Sequence, residues 1–255
     1  FFLFDIYRPV KIQSTGVYFN TIQEAVDQSV SGDILLIGYK EEGYVENISI
    51  PAGVTIKGGY NPVTWERDLA QFPTKISIRE GLTVDNGVVS VIYMNENTTL
   101  DGVELYAKDL EFALYAKDVS GIQILNTVIQ DCDIGMKLDN VEGSIVQSTI
   151  MAAYHAIEID NSSNLSIYRN RFSVNNDNLE NNVIIKNSGA IRFANNLVHG
   201  GYAALYVESI QNSIFDQNVV TEAKNFGIHI VNLVDTNFFN NIIAKNNMGV
   251  FFNTG

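Results

Sequence analysis

The sequence predicts an all-β solenoid, and three observations carry that prediction. A short alternating run recurs at nearly fixed spacing, a column of polar residues recurs in phase with it, and no helical segment lies between successive runs. The runs are LYAKD from Leu114, MKLDN from Met136, IEIDN from Ile157, VIIKN from Val183, LYVES from Leu205, IHIVN from Ile228 and VFFNT from Val250. Their steps are 22, 21, 26, 22, 23 and 22 residues.

Alternation within each run sends the first and third residues to one side of a strand. Leu114, Met136, Ile157, Val183, Leu205, Ile228 and Val250 therefore form an apolar file, with Ala116, Leu138, Ile159, Ile185, Val207, Ile230 and Phe252 beside it. The polar column is Asn126, Ser148, Asn170, Asn196, Asn218 and Asn241, followed two residues on by Val128, Ile150, Phe172, Val198, Val220 and Ile243. The single long step falls between the same two repeats in both columns, so one insertion explains both. It is expected as an outward loop over Val174 to Asn181.

A period near 22 with short strands is that of a parallel β-helix, in which each strand pairs with its counterpart one coil on, about 4.8 Å away. The polar column then has a structural reason. An inward corner leaves backbone groups that water cannot reach, and stacked Asn side chains satisfy them while bonding to one another.

These rungs, from about Asn97 to the C-terminus, resemble the right-handed parallel β-helix proteins of the pectate-lyase-like superfold. The N-terminal third, FNTIQEAVDQSVSGDILLIGYKEEGYVENISIPAGVTIKGGY, is similar to that family's capping helix and first rungs. Right-handedness follows from the resemblance, because the period does not fix it. Thr21 and Glu24 are expected to make a capping box for the helix TIQEAVDQ. Residues 1–96 are thus read as an N-terminal strand, the capping helix and first rungs, with NPVTWERDLAQFPTK (61–75) as a protruding loop. Residues 97–255 are read as further rungs of the same continuous domain.

Composition narrows function. The net charge of −13 argues against nucleic acid, whose recognition relies on clustered Lys and Arg. Cys132 is the only cysteine, which excludes an intrachain disulfide. No run reaches the roughly 18 apolar residues of a membrane span, and the opening FFLFDIYRP is too short and wrongly flanked for a signal peptide. It reads as the start of a processed or trimmed chain.

The family resemblance directs attention to the outward residues of the strands. There the sequence stacks Tyr115, Lys137, Glu158, Ile184, Tyr206, His229 and Phe251, with Lys117, Asp139, Asp160, Lys186 and Glu208 beside them. If the chain is an enzyme, a polysaccharide lyase is expected, with Lys137 and Glu158 as catalytic groups and calcium held by Asp139, Asp160 and Glu158. If it binds glycans without cleaving them, Tyr115, Lys137, Glu158 and Tyr206 are the expected contacts. The simpler reading of Lys117, Asp139, Asp160 and Lys186 is an ion-pair column that avoids stacking like charges.

His155 is expected at a corner and His229 about three rungs from Glu158, so the histidines lend no support to catalysis. The triplet Asp131-Cys132-Asp133 is a weak calcium motif, and Arg169, Arg171 and Arg192 form a small basic spot. The family's enzymes carry motifs missing here: paired Asp with a downstream Gly-His-Gly, Arg-x-Pro-x-x-Arg, and Asp-Pro-His-Asp. Three readings remain: an extracellular or bacterial cell-surface module with a structural, adhesive or glycan-binding role; a lyase or hydrolase of acidic polysaccharide; and a filament subunit. The last rests on GVFFNTG, which leaves Val250 and Phe252 without a polar cap, so head-to-tail association or truncation is expected.

Overall fold

The computed structural model of the protein describes residues 8–78, 89–108, 110–174 and 179–253. Residues 1–7 of the apolar opening and 175–178 of the expected insertion lie outside them. The chain coils into a parallel β-solenoid whose three walls meet at tight corners. The first wall is built on strands such as β11 (Phe112–Leu125), β13 (Ile134–Val146), β15 (His155–Asp160), β18 (Val183–Lys186), β21 (Ala203–Gln211), β24 (Phe226–Val234) and β27 (Met248–Asn253). The long β11 and β13 run through the first corner into the second wall, which continues through β16 (Leu165–Tyr168), β19 (Arg192–Ala194), β22 (Ile214–Asp216) and β25 (Asn237–Phe239). The third wall is a separate nine-stranded parallel sheet ending at Ile242–Ala244, so the solenoid has about nine turns.

The apolar file of the first wall has the expected register. Leu114 lies opposite Met136, Met136 opposite Ile157, Ile157 opposite Val183, Val183 opposite Leu205, Leu205 opposite Ile228, and Ile228 opposite Val250. Ile124, Ile145, Ile167, Phe193, Phe215 and Phe238 stack in the second wall, and Ile129, Ile150, Phe172, Val198, Val220 and Ile243 in the third. Phe172 and Phe193 stack at 5.9 Å between ring centroids, and Phe193 and Phe215 lie 5.8 Å apart. Each fully buried side chain of this kind contributes roughly 1.5–3 kcal/mol, but only while the turns on both sides are formed. The final turn leaves Val250 43% and Phe252 63% exposed.

The corner between the second and third walls holds two adjacent files with different tasks. One has left-handed backbone at Asn126, Gln147, Arg169, Asn195, Gln217 and Asn240, with φ between 48° and 59°. The next residue turns inward, and these residues form the ladder: Ser148 N donates to Asn170 Oδ1, Asn170 N to Asn196 Oδ1, Asn196 N to Asn218 Oδ1 and Asn218 N to Asn241 Oδ1, each at 2.9 Å. The ladder therefore contains Ser148, Asn170, Asn196, Asn218 and Asn241 as expected, but not Asn126. Thr127 takes that place, its backbone N donating to Ser148 Oγ at 3.2 Å, because Val128 pairs with Thr149 and sets the register one residue later. Asn126 instead belongs to the left-handed file and donates from Nδ2 to Asp101 Oδ1 at 2.8 Å.

At the N-terminal end, α1 (Ile22–Gln28) buries Ile22, Ala25 and Val26. Thr21 Oγ1 accepts from Glu24 N, as in a capping box, while Glu24 Oε2 accepts from Asn20 N, one residue before the usual partner. Glu46 completes the cap by accepting from Ile22 N and Gln23 N. The first parallel strand, β3 (Ile34–Gly38), is covered on its outer edge by β1 (Val10–Ile12), which runs antiparallel to it. Reversal there occupies the hydrogen-bonding edge that a bare solenoid end would expose.

Between β6 (Thr55–Tyr60) and β7 (Thr74–Ser77) the chain leaves the wall and folds back on it. Arg67 anchors this connection, donating to Gly58 O at 2.9 Å and pairing with the buried Asp101 carboxylate at 2.9 Å. Trp65 packs on Tyr18 and Tyr60, and Lys11 lies over the Tyr18 and Trp65 rings. Thr74 and Lys75, the last two residues of the expected 61–75 loop, belong to β7.

Candidate outward surface on the first wall

The outward file of the first wall has the predicted order. Tyr115 pairs with Lys137, Lys137 with Glu158, Glu158 with Ile184, Ile184 with Tyr206, Tyr206 with His229 and His229 with Phe251. At its centre the Lys137 ammonium is ion-paired with Glu158 Oε2. Glu158 Oε1 faces His155 Nε2 at 3.4 Å, and Glu180 Oε2 approaches the same nitrogen at 3.8 Å.

His155 was expected at a corner, but it opens the strand His155–Asp160 instead. Strict alternation would send residues three apart on a strand to opposite sides. Here Ala156 and Ile157 are both buried, so the alternation slips by one and His155 and Glu158 both face outward. His155 Nδ1 lies 2.6 Å from the Asn181 carbonyl. A carbonyl only accepts, so this nitrogen carries its hydrogen, and Nε2 is the one presented to the carboxylates.

The neighbouring charge column forms one of its expected pairs, Lys117 with Asp139 at 3.2 Å, while Lys186 reaches Glu208 at 3.9 Å rather than Asp160. The like-charged step from Asp139 to Asp160 is bridged by Asn161, whose Nδ2 donates to Asp139 Oδ1 at 3.1 Å and whose N donates to Asp160 Oδ1 at 3.0 Å. Asn187 Nδ2 adds a 2.9 Å bond to Asp160. The Asp139 carboxyl is held below its usual range: burial raises it, but hydrogen bonds from Asn161 and Lys117 and the Lys117 charge outweigh that. The expected calcium ligands Asp139, Asp160 and Glu158 are thus engaged with Lys, His and Asn partners. Among the described residues no three His, Cys, Asp or Glu side chains converge on a point that could hold a metal ion.

Aromatic rings flank the charged centre along the axis. Tyr115 packs against Tyr93 and Phe112, with both centroid distances 5.7 Å. At the other end Tyr206 meets His229 edge to face at 4.9 Å, Lys186 lies over the Tyr206 ring, and Phe226 and Phe251 stack at 4.7 Å. Tyr206 donates to Glu208 Oε2 at 2.9 Å, and its hydroxyl is pushed up to about 12, first by burial and then by that hydrogen bond and the Glu208 charge. The basic spot is dispersed: Arg169 occupies a corner, Arg171 the third wall and Arg192 the second.

The chemistry available is that of a strip rather than a cleft. Charged groups sit at the centre and aromatic rings toward both ends. No helix among the described residues is long and apolar enough to cross a membrane.

Comparisons with known proteins agree with this architecture. A family model described as a right-handed β-helix region matches residues 112–255. No curated protein sequence matches the chain. Among solved structures, the chain is similar to pectate lyase Pel9A, with a TM-score of 0.58, 10% identity, and 93% of this chain and 72% of that one covered. It is also similar to the full-length tailspike protein 2 of Escherichia coli O157:H7 bacteriophage CAB120, with a TM-score of 0.56, 11% identity and 81% of this chain covered. The chain spans 32% of the length of that tailspike. At these identities the likeness is one of fold. With more than half of its length matched and its strands stacked in the expected register, the chain belongs to the right-handed β-helix family.

Proposed function

We propose that this protein is an extracellular or bacterial cell-surface glycan-contacting module, and that the outward strip of the first wall is its contact surface. The observation that carries the reading is the linear order of that strip: Phe112 and Tyr115, then Lys137, then Glu158 and His155, then Ile184, Tyr206, His229 and Phe251. Successive rungs lie about 4.8 Å apart along the axis, so an extended glycan laid there meets ring faces and hydrogen-bonding groups in turn. Similarity of fold to a pectate lyase and a phage tailspike supports a carbohydrate context. Affinity electrophoresis through gels carrying different polysaccharides tests it. Retardation by at least one polysaccharide, relieved in Tyr206→Ala and Lys137→Ala, is expected; unchanged mobility of the variants sinks the assignment.

A second reading, cleavage of an acidic polysaccharide, is favoured by one contact, His155 Nε2 against Glu158 Oε1 beside Lys137. A base near a uronate carbon and a cation near its carboxylate are what such a reaction requires. Incubation with uronate polysaccharides, with and without calcium, would yield an unsaturated product followed by absorbance. Turnover abolished in Lys137→Ala and Glu158→Gln favours this reading, and no product from any uronate polymer removes it.

A further inference from the structure

We propose that a second groove, on the third wall, binds a neutral, hydroxyl-rich oligosaccharide laid along the solenoid axis. The groove has a volume of about 830 Å³ and is lined by residues including Lys108, Asp131, Asp133, Met151, Arg171 and His199. It crosses four successive strands, β12 (Val128–Gln130), β14 (Thr149–Ala152), β17 (Arg171–Val174) and β20 (Leu197–His199), with Lys108, two residues past the strand Val103–Tyr106, at one end. Three strand spacings give a length of about 14 Å.

The charges in this groove differ in kind from those of the first wall. On the first wall Lys117, Lys137 and Lys186 are each taken up by a neighbouring carboxylate. In the groove, neither Lys108 and Arg171 nor Asp131 and Asp133 enter any ion pair among the described residues. Asp131 and Asp133 are both exposed because the bend between Gln130 and Ile134, with left-handed backbone at Asp131, turns Cys132 inward between them. Burial first, and then the two carboxylates, push the Cys132 thiol up to about 12, so it supplies no thiolate and the groove is one for binding rather than covalent chemistry.

Carboxylates that form no ion pair among the described residues accept hydrogen bonds from sugar hydroxyls, and a guanidinium and ammonium of the same kind donate to hydroxyl and ring oxygens. Met151, 38% exposed, offers a soft apolar floor for the C–H face of a sugar ring. Among the described residues, no aromatic pocket of the kind that anchors protein partners lines the groove. Neutrality follows from charge: two cations balance two anions locally, and the net −13 of the chain repels a polyanion at long range.

The assignment is independent of the first-wall reading, and methionine methyl resonances separate the two. The chain has four methionines, and among them only Met151 lines the groove. The full chain, labelled with carbon-13 at the methionine methyls, is titrated with cellotetraose, mannotetraose, maltotetraose and tetragalacturonate. Saturable shifts of Met151 with a neutral tetrasaccharide are expected. Arg171→Ala and the double variant Asp131→Asn, Asp133→Asn should weaken that binding at least tenfold with unchanged circular dichroism, while Lys137→Ala leaves it intact. The proposal is overturned if no neutral tetrasaccharide shifts Met151, if tetragalacturonate alone does, or if the groove variants bind as the native chain does. Binding abolished by Lys137→Ala with Met151 unmoved would assign the ligand to the first wall instead.

Discussion

Asn196 gives both its backbone N–H and its side-chain Nδ2–H to one acceptor, Asn218 Oδ1, at 2.9 and 3.1 Å. Its remaining amide hydrogen goes to Ile167 O at 2.9 Å, and its own Oδ1 accepts from Asn170 N and Nδ2. Every polar atom of the inward amide is satisfied, in a place water does not reach.

Asn196→Ala leaves the Ile167 carbonyl and the Asn170 N–H buried without partners. A buried unpaired group costs about 1–3 kcal/mol, so a loss of about 2–4 kcal/mol is expected from urea unfolding. Asn126→Gly, at the left-handed position outside the ladder, keeps the backbone conformation and loses one part-buried bond to Asp101. It should cost about 1 kcal/mol, and equal losses in the two variants would contradict the ladder as drawn here.

The connection between β6 and β7 depends on Arg67. Removing the guanidinium leaves the Asp101 carboxylate with Asn126 alone and frees the Gly58 carbonyl. Arg67→Ala is expected to cost about 2–3 kcal/mol, the range for breaking a largely buried charged hydrogen bond. Limited proteolysis should then cut first between residues 61 and 73; protection equal to the native chain refutes the anchor.

His229 sits among Tyr206, Phe226 and Phe251, with Nε2 buried and without a hydrogen-bond partner among the described residues. Burial holds its pKa below the ordinary 6.5, partly opposed by the Glu208 charge. The folded state therefore binds this proton less readily than the unfolded chain. Its contribution to stability is complete above about 6.5 and declines as the pH falls through the lower folded value. His229→Phe keeps the ring stack and removes the titration. Its melting temperature should fall less than that of the native chain between pH 7 and pH 5, and parallel falls would exclude His229 as the source.

Phe193 is fully buried between Phe172 and Phe215. Phe193→Ala is expected to cost about 3–5 kcal/mol by the cavity it leaves. Because each turn contacts only its neighbours, hydrogen-exchange protection should drop most in the turns containing Phe172 and Phe215. A uniform drop would show that the solenoid unfolds as one unit.

The walls were legible in the sequence because the alternation of Leu114, Met136, Ile157 and their successors is enforced by burial at every turn. The first ladder rung was not, since two adjacent corner positions both favour Asn for different reasons. One tolerates left-handed backbone and the other fills an inward hydrogen-bonding slot, so spacing alone assigned Asn126 to the wrong one. The His155–Glu158 contact was hidden for a related reason. It requires Ala156 and Ile157 to point inward together, and a period of two has no means of announcing that slip. Arg67 and Asp101, 34 residues apart, meet through a connection with no periodicity at all.

Stacked coils of near-equal length invite a particular error, in which the growing wall zips one whole coil out of alignment and still buries most of its hydrocarbon. Two irregularities described above make that mistake expensive. The reversed β1 fits only the edge of β3, and the one step of 26 residues, from Ile157 to Val183, fits only its own place. Like a keyed end and a notch on a ladder of identical rungs, they let a sequence of interchangeable parts assemble in a single order.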